Sequence, residues 1–147
     1  MTTNKLCWAL SALVLILAVY ASNAKAETYV YAGAWSQHFG TDQTYNERHD
    51  LLAVEHKGIM AGYFKNSYSH DTVFAGYRFT RQWGDFEGGL LVGAMRGYND
   101  CIKGNVPGES TKVCPMAAPS ITYTAHKVQP SVLFLGNAVA ISFRIDI

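Results

Sequence analysis

This 147-residue chain has few cysteines, no excess of one charge and no long apolar run. Its 12 basic and 11 acidic residues nearly cancel, and no basic tract indicates a nucleic-acid partner. No apolar stretch reaches the roughly 20 residues that a membrane-spanning helix needs. Its histidines and cysteines lack the spacing typical of a metal site, so we expect neither metal nor cofactor.

The N-terminal segment has the pattern of an export signal. Residues 9–21 are mostly apolar, follow Lys5 and precede Ala24-Lys25-Ala26, a small-x-small cleavage sequence. We expect residues 1–26 to be a signal peptide, with an uncleaved amphipathic anchor as the alternative. Residues 27–147 would then form one domain with 10 basic and 11 acidic residues, a net charge of −1.

Two cysteines, Cys101 and Cys114, would remain after cleavage, both in one polar segment containing glycine and proline. An even number of cysteines in an exported chain favours a disulfide. A metal pair is the less favoured alternative, because no nearby histidine or second cysteine pair completes a site.

The domain shows no helical pattern of useful length. Short alternating runs rich in Tyr, Val, Phe, Ile and Gly instead predict eight strands. In the last run the apolar odd-numbered residues share one face and Ala140, Ser142, Arg144 and Asp146 share the other. The predicted strands are residues 28–38, 48–57, 59–68, 71–82, 86–98, 117–125, 128–135 and 138–147.

The connections between these runs predict how the strands are arranged. With both termini facing the periplasm, the periplasmic turns are all short, and the two longest loops, 39–47 and 99–116, lie outside. This favours an all-β fold, an eight-stranded antiparallel up-and-down barrel of the outer-membrane type. A water-soluble sandwich is the alternative. In a barrel lumen, Glu55 and Lys65 would face each other across strands two and three.

Several short motifs follow one another in an order that resembles the PagP-like lipid A palmitoyltransferase family of outer-membrane barrels. The family carries a histidine where this chain has Ser36 and an aspartate where it has Asn66, whereas Ser67 matches the family's serine. The matching segments are Trp35-Ser36, Tyr45-Asn46-Glu47-Arg48-His49, Phe64-Lys65-Asn66-Ser67, Gly76-Tyr77, Pro115 with Pro119, and Arg144-Ile145-Asp146-Ile147.

The resemblance implies transfer of a fatty acyl chain from a phospholipid to lipid A or a related lipid. His38, about 7 Å along the strand from position 36 and on the same face, is the candidate general base. Ser67 is the candidate nucleophile or hydrogen-bond donor, and Asn66 could donate to an oxyanion. The substrate-binding candidates are Trp35, Tyr45 and Arg96.

Simpler interpretations stay open for each of these residues. A histidine at a barrel rim is often merely solvated, and an Asn-Ser pair before a turn commonly caps that turn. The chain could therefore be a non-catalytic outer-membrane barrel that modifies the cell surface or binds a partner through its cysteine-containing loop. It could also be a soluble periplasmic barrel that binds a lipid or a protein. We expect membrane lipids as partners, a monomer, and the outer membrane as the location, with the periplasm as the alternative.

Overall fold

A computed structural model describes residues 28–101 and 112–147, so the predicted signal peptide at 1–26 lies outside the described residues. Eight antiparallel strands form a closed barrel in which each strand pairs with its sequence neighbours and the last pairs with the first. The strands are β1 (Thr28–His38), β2 (Leu52–His56), β3 (Ile59–Lys65), β4 (Asp71–Trp83), β5 (Phe86–Arg96), β6 (Val113–Tyr123), β7 (Val128–Leu135) and β8 (Ala138–Asp146).

The structure confirms the predicted all-β, eight-stranded antiparallel barrel. Most strand limits agree closely with the prediction, but β2 begins four residues later and β6 four residues earlier than expected. No helix long and apolar enough to cross a bilayer occurs in the two described ranges.

Tight turns connect the strands at the end of the barrel that carries both termini. Lys57 and Gly58 join β2 to β3 with φ angles of 51° and 82°, the left-handed conformation of the two-residue turns that suit a twisted hairpin. At the opposite end lie the β1–β2 and β5–β6 connections, which are the longest. We call these two ends the termini end and the loop end.

The outside of the barrel wall is apolar, and many of the side chains that point inside are polar or charged. Outward-facing Leu52, Ile59, Val73 and Ile141 expose about half or more of their surface. This distribution is the reverse of that in a soluble protein and is typical of transmembrane barrels. It contradicts the alternative of a water-soluble sandwich, in which the apolar faces would cover a core.

Inside the barrel, a charged cluster fills the lumen near the termini end. Glu87 lies 2.8 Å from a guanidinium nitrogen of Arg78 and 2.6 Å from one of Arg144. Glu55 lies 3.7 Å from Arg78 and accepts a hydrogen bond from the hydroxyl of Tyr31. All these side chains are buried, and their charges are paired, as buried charges must be.

The predicted pairing of Glu55 with Lys65 is wrong. Lys65 forms an exposed ion pair with Asp71 at 3.2 Å, on the outer surface. The reason is the alternation of β3, whose even-numbered residues, such as Met60, point into the lumen, while Lys65 occupies an odd-numbered position.

A bulge at Gly33 reverses the facing of β1. The register between β1 and β8 shifts between Ala32 and Ala34, and Gly33 has a φ of 66°. Before the bulge the odd-numbered Tyr29 and Tyr31 point inward, whereas beyond it the even-numbered residues Ala34 and Ser36 do so. One extra residue in a strand has this effect because side chains alternate with a period of two.

Candidate functional site

The half of the lumen nearest the loop end encloses a cavity of about 570 Å³. Its floor is formed by the buried side chains of Tyr31, Met60, Leu91 and Ala118. Leu91 is the register partner of Arg78, and the hydroxyl of Tyr31 donates to Glu55, so the charged cluster adjoins this floor. The volume falls within the range of about 300–1,000 Å³ typical of small-molecule sites. The lumen thus holds an apolar cavity above a polar base.

The predicted histidine and serine meet at the rim of this cavity. His38 is the last residue of β1, and Ser67 lies two residues after the end of β3. Nε2 of His38 is 3.0 Å from Oγ of Ser67, and both residues line the cavity. The two side chains therefore share one rim of the barrel, while their catalytic roles stay predictions.

Three tyrosines surround this pair, and we call them the aromatic collar: Tyr45, Tyr68 and Tyr98. The ring of Tyr45 stacks on that of His38 with centroids 4.2 Å apart, so Tyr45 lies at the site, while its role in binding substrate stays a prediction. Tyr68 packs edge-on against both other tyrosines, and Tyr98 hydrogen-bonds with Ser67. Burial is the largest cause raising the pKa of Tyr68 and Tyr98, so both phenols stay protonated at neutral pH.

Asn66 lies beside Ser67, but its side chain is turned away from the cavity and fully buried. Its Oδ1 accepts hydrogen bonds from the backbone N–H groups of Tyr68 and His70, at 2.9 and 3.1 Å. Its Nδ2 donates to Oγ1 of Thr72 and to the carbonyl of Gly97, both at 3.0 Å. With both amide hydrogens used, the geometry favours a turn-capping role over donation to an oxyanion.

Two substrate-binding candidates lie elsewhere. Trp35 is 50% exposed on the outside of the barrel, where it packs edge-on against Phe143. Arg96 ends β5 and is also exposed, at a position whose neighbour Met95 points inward. The expectation that Trp35 and Arg96 face the site is corrected, because both occupy outward-facing positions of their strands.

The predicted disulfide between Cys101 and Cys114 is present. Cys114 is buried at the start of β6 and lines the cavity. The disulfide therefore anchors the base of the long outer loop to the wall of the cavity. Residues 102–111 of that loop lie outside the described residues.

A second serine–histidine pair lines the same cavity, and no motif in the sequence predicted it. Oγ of Ser36 lies 2.6 Å from Nε2 of His49. Both residues are buried from bulk water but border the cavity. The two residues are 13 positions apart on either side of an irregular loop, so no local pattern could have paired them.

The barrel wall has a notch between β6 and β7 at the loop end. Their ladder contains three residue pairs, from Thr122–Ser131 to Ser120–Leu133. The next residue of β6, Pro119, has no backbone N–H with which to continue the ladder. Because Met116 of β6 and Leu135 of β7 both line the cavity, the cavity reaches this unpaired stretch of wall.

A closed eight-stranded barrel with an apolar exterior, a charged cluster in its lumen and a cavity beside it defines an outer-membrane-type β-barrel protein. No protein-family model matches the chain, and no curated protein sequence matches it. Among solved structures, the chain is similar to the attachment invasion locus protein Ail of Yersinia pestis, crystallised with the heparin analogue sucrose octasulfate. The identity is 17%, the match covers 81% of this chain and 92% of that chain, and the TM-score is 0.32.

Proposed function

We propose that this protein is an outer-membrane barrel that binds one hydrocarbon chain of a membrane lipid in the half of its lumen nearest the loop end. The observation that carries this proposal is the largely apolar cavity, which the charged cluster bounds on the side of the termini end. A hydrocarbon chain gains about 0.8 kcal/mol for each methylene group removed from water, so it suits such a space. A polar group placed against Met60, Leu91 and Ala118 of the floor would leave hydrogen bonds unmade.

The notch between β6 and β7 supports lateral entry from the bilayer. Above Ser120 the ladder between these strands stops, and side chains from both flanks border the cavity. A lipid chain that enters here passes directly from the bilayer core into the cavity. The headgroup of the lipid can then stay at the membrane surface and keep its water.

The exterior supports a position in the outer membrane. Aromatic residues occupy both ends of the outer surface, Trp83 and Phe86 near the termini end and Trp35 and Tyr63 nearer the loop end. Two such girdles flanking an apolar band are typical of outer-membrane barrels. Several strands are 9–13 residues long, which suits a tilted membrane-spanning strand.

Acyl transfer is the second candidate function, and one contact favours it. His38 Nε2 and Ser67 Oγ lie 3.0 Å apart at the cavity rim, where the ester of a bound lipid would lie. This arrangement and the ordered motifs suggest a divergent relative of the lipid A palmitoyltransferases that moves an acyl chain from phospholipid to lipid A or a related lipid. His38 would be the base and Ser67 the reacting or donating hydroxyl.

Lipid binding can be tested on the protein refolded in phospholipid vesicles with isotope-labelled methyl groups. Nuclear Overhauser contacts between lipid methylenes and the methyls of Met60 and Leu91 are expected, because both line the cavity floor. The outward-facing Val73 and Ile141 report ordinary bilayer contact and serve as internal controls. Contacts confined to Val73 and Ile141 would contradict the proposal.

The second candidate function is tested by mass spectrometry of lipid A from cells with and without the protein. An added acyl chain that disappears in Ser67→Ala, with the barrel still heat-modifiable, would support acyl transfer. If lipid A is unchanged while lipid methylenes still contact the methyls of Met60 and Leu91, the protein binds lipid without transferring an acyl chain to lipid A.

A further inference from the structure

The hydrogen bonds of His49 fix which of its ring nitrogens carries the proton. Nδ1 lies 2.7 Å from the backbone carbonyl oxygen of Lys65, which can accept but not donate. In the neutral ring Nδ1 therefore bears the hydrogen, and Nε2 presents a lone pair. Since Nε2 lies 2.6 Å from Oγ of Ser36, the hydroxyl of Ser36 donates its hydrogen to this lone pair.

Backbone contacts hold His49 in this place although it belongs to no strand. Its N–H donates to the carbonyl of Ala34 on β1 at 2.8 Å, and its carbonyl accepts from the N–H of Lys65 on β3 at 2.6 Å. The main chain of His49 is thus held on both sides, and the bond from Nδ1 to the carbonyl of Lys65 orients the ring. Such preorganisation is what a catalytic base requires.

The space beside Ser36 is open on the cavity side. Ser36 is paired with Ala140 of β8, and the neighbouring inward positions are filled by Ala34 and Ala138. Because these residues end at Cβ, they leave room next to the hydroxyl. Ser36 is therefore closed to bulk water but borders the space in which we place the lipid chain.

The two serine–histidine pairs at the cavity differ in how completely they are oriented. Nδ1 of His38 is buried and has no hydrogen-bond partner among residues 28–101 and 112–147. Ser67 is shared between His38 and Tyr98. Ser36 and His49 instead form a chain of hydroxyl, imidazole and fixed acceptor, the order of groups that activates a serine nucleophile.

We propose that Ser36 is a nucleophile, with His49 as its general base, that cleaves an ester of the lipid chain bound in the cavity. This inference rests on the proposed lipid-binding function. Oγ of Ser36 forms a bond to the ester carbonyl carbon while its proton moves to Nε2 of His49. The bond from that carbon to the alkoxy oxygen then breaks, and the departing alkoxide takes the proton from His49 as it leaves as an alcohol.

The acyl group is then carried on Ser36 as an ester. A water molecule or the hydroxyl of an acceptor lipid gives its proton to His49 and attacks the same carbonyl carbon. The bond to Oγ breaks, and Ser36 recovers the proton from His49. The products are a free fatty acid when water attacks and a new ester when a hydroxyl attacks.

The test uses long-chain and short-chain alkyl fluorophosphonates, which form a stable adduct on an activated serine. The protein is refolded in vesicles, labelled, digested and mapped by mass spectrometry. Both probes are expected on the peptide containing Ser36 and to be lost in Ser36→Ala. His49→Gln should slow labelling by about 10²–10⁴-fold, as is typical of a general base. Ser142→Ala, a buried lumen serine outside the cavity lining, is the matched control and should label like wild type.

The outcomes separate this inference from the function on which it rests. Absence of both adducts from Ser36, with lipid–floor contacts intact, would overturn the inference and leave the lipid-binding function standing. An adduct on Ser67 alone would overturn it in favour of the His38 pair. Short-chain labelling of Ser36 without long-chain labelling would support the reactive pair and contradict the lipid-binding cavity.

Discussion

Trp35 and Ser36 are consecutive in β1, yet Trp35 is half exposed on the outer wall and Ser36 is buried in the lumen. Strand alternation separates any two neighbours in this way, but the bulge at Gly33 decides which of them points inward. Without it, Trp35 would fill the cavity and Ser36 would face lipid. One glycine therefore determines whether Ser36 lies in the cavity.

Gly33→Ala should destabilise the barrel. A non-glycine residue in the left-handed region costs about 1–2 kcal/mol, and a Cβ at this position would lie 3.0 Å from the ring of Trp35. Gly40→Ala is the matched control, because Gly40 has a similar φ of 69° but nothing within 4 Å of the added Cβ. We expect urea unfolding in vesicles to show the larger loss for Gly33→Ala. Equal losses would mean that the contact with Trp35 contributes nothing.

Asn66→Asp, which restores the carboxylate of the resembled family, should destabilise the β3–β4 loop. A carboxylate cannot donate to Thr72 and Gly97 as the amide does, and it would be charged in a fully buried site. Leaving buried groups unpaired costs about 1–3 kcal/mol, and more when a charge is involved. The control is Asn137→Asp, whose exposed amide makes a 3.3 Å bond to Phe39. Faster proteolysis of the loop in Asn66→Asp alone would agree with this expectation; equal resistance of both variants would contradict it.

The strands could be predicted from the sequence because alternation is a local property. In β8, Ile141 and Phe143 do face outward, while Ser142 and Arg144 face the lumen. The place of Trp35 could not be predicted, because the bulge that resets the alternation leaves no clear mark in composition. The cavity could not be predicted from the sequence either, because its volume depends on the sizes of inward side chains from many strands.

The reactive groups were partly predictable, for a related reason. His38 and Ser67 each lie at or just beyond the end of a strand that runs toward the loop end, so topology alone brings them together. His49 instead reaches Ser36 through backbone bonds to β1 and β3. These bonds join distant segments through main-chain atoms, which every residue has, so residue types give no sign of them.

Filling the cavity floor should shorten the chain that binds. Ala118→Phe adds a ring where the side chain is buried against the cavity, so long chains must lose contact with the floor. Each excluded methylene should cost about 0.8 kcal/mol, or about fourfold in Kd. The control, Ala75→Phe, places the same ring at an exposed position of β4. A series of alkyl ligands of rising length should show the difference. Parallel Kd profiles for both variants and wild type would argue against chain binding at Ala118.

The exterior predicts where the protein is found in the cell. We expect it in the outer-membrane fraction, with a shift in electrophoretic mobility on heating, because the apolar outer wall requires a bilayer. Recovery in osmotic-shock fluid without detergent would support the periplasmic alternative.

Removing one partner of the charged cluster should destabilise the barrel far more than removing one partner of a surface ion pair. Arg144 is 1% exposed and contacts Glu87 at 2.6 Å and Gln129 at 2.7 Å. Arg144→Ala leaves Glu87 with one partner fewer in a buried site, and breaking a buried pair typically costs about 3–5 kcal/mol. Arg48→Ala removes the exposed pair with Asp50 and should cost at most about 1 kcal/mol. Urea unfolding in vesicles measures both losses. If they proved equal, water would have to reach Glu87, and the lumen would be open below the cavity rather than closed by the cluster.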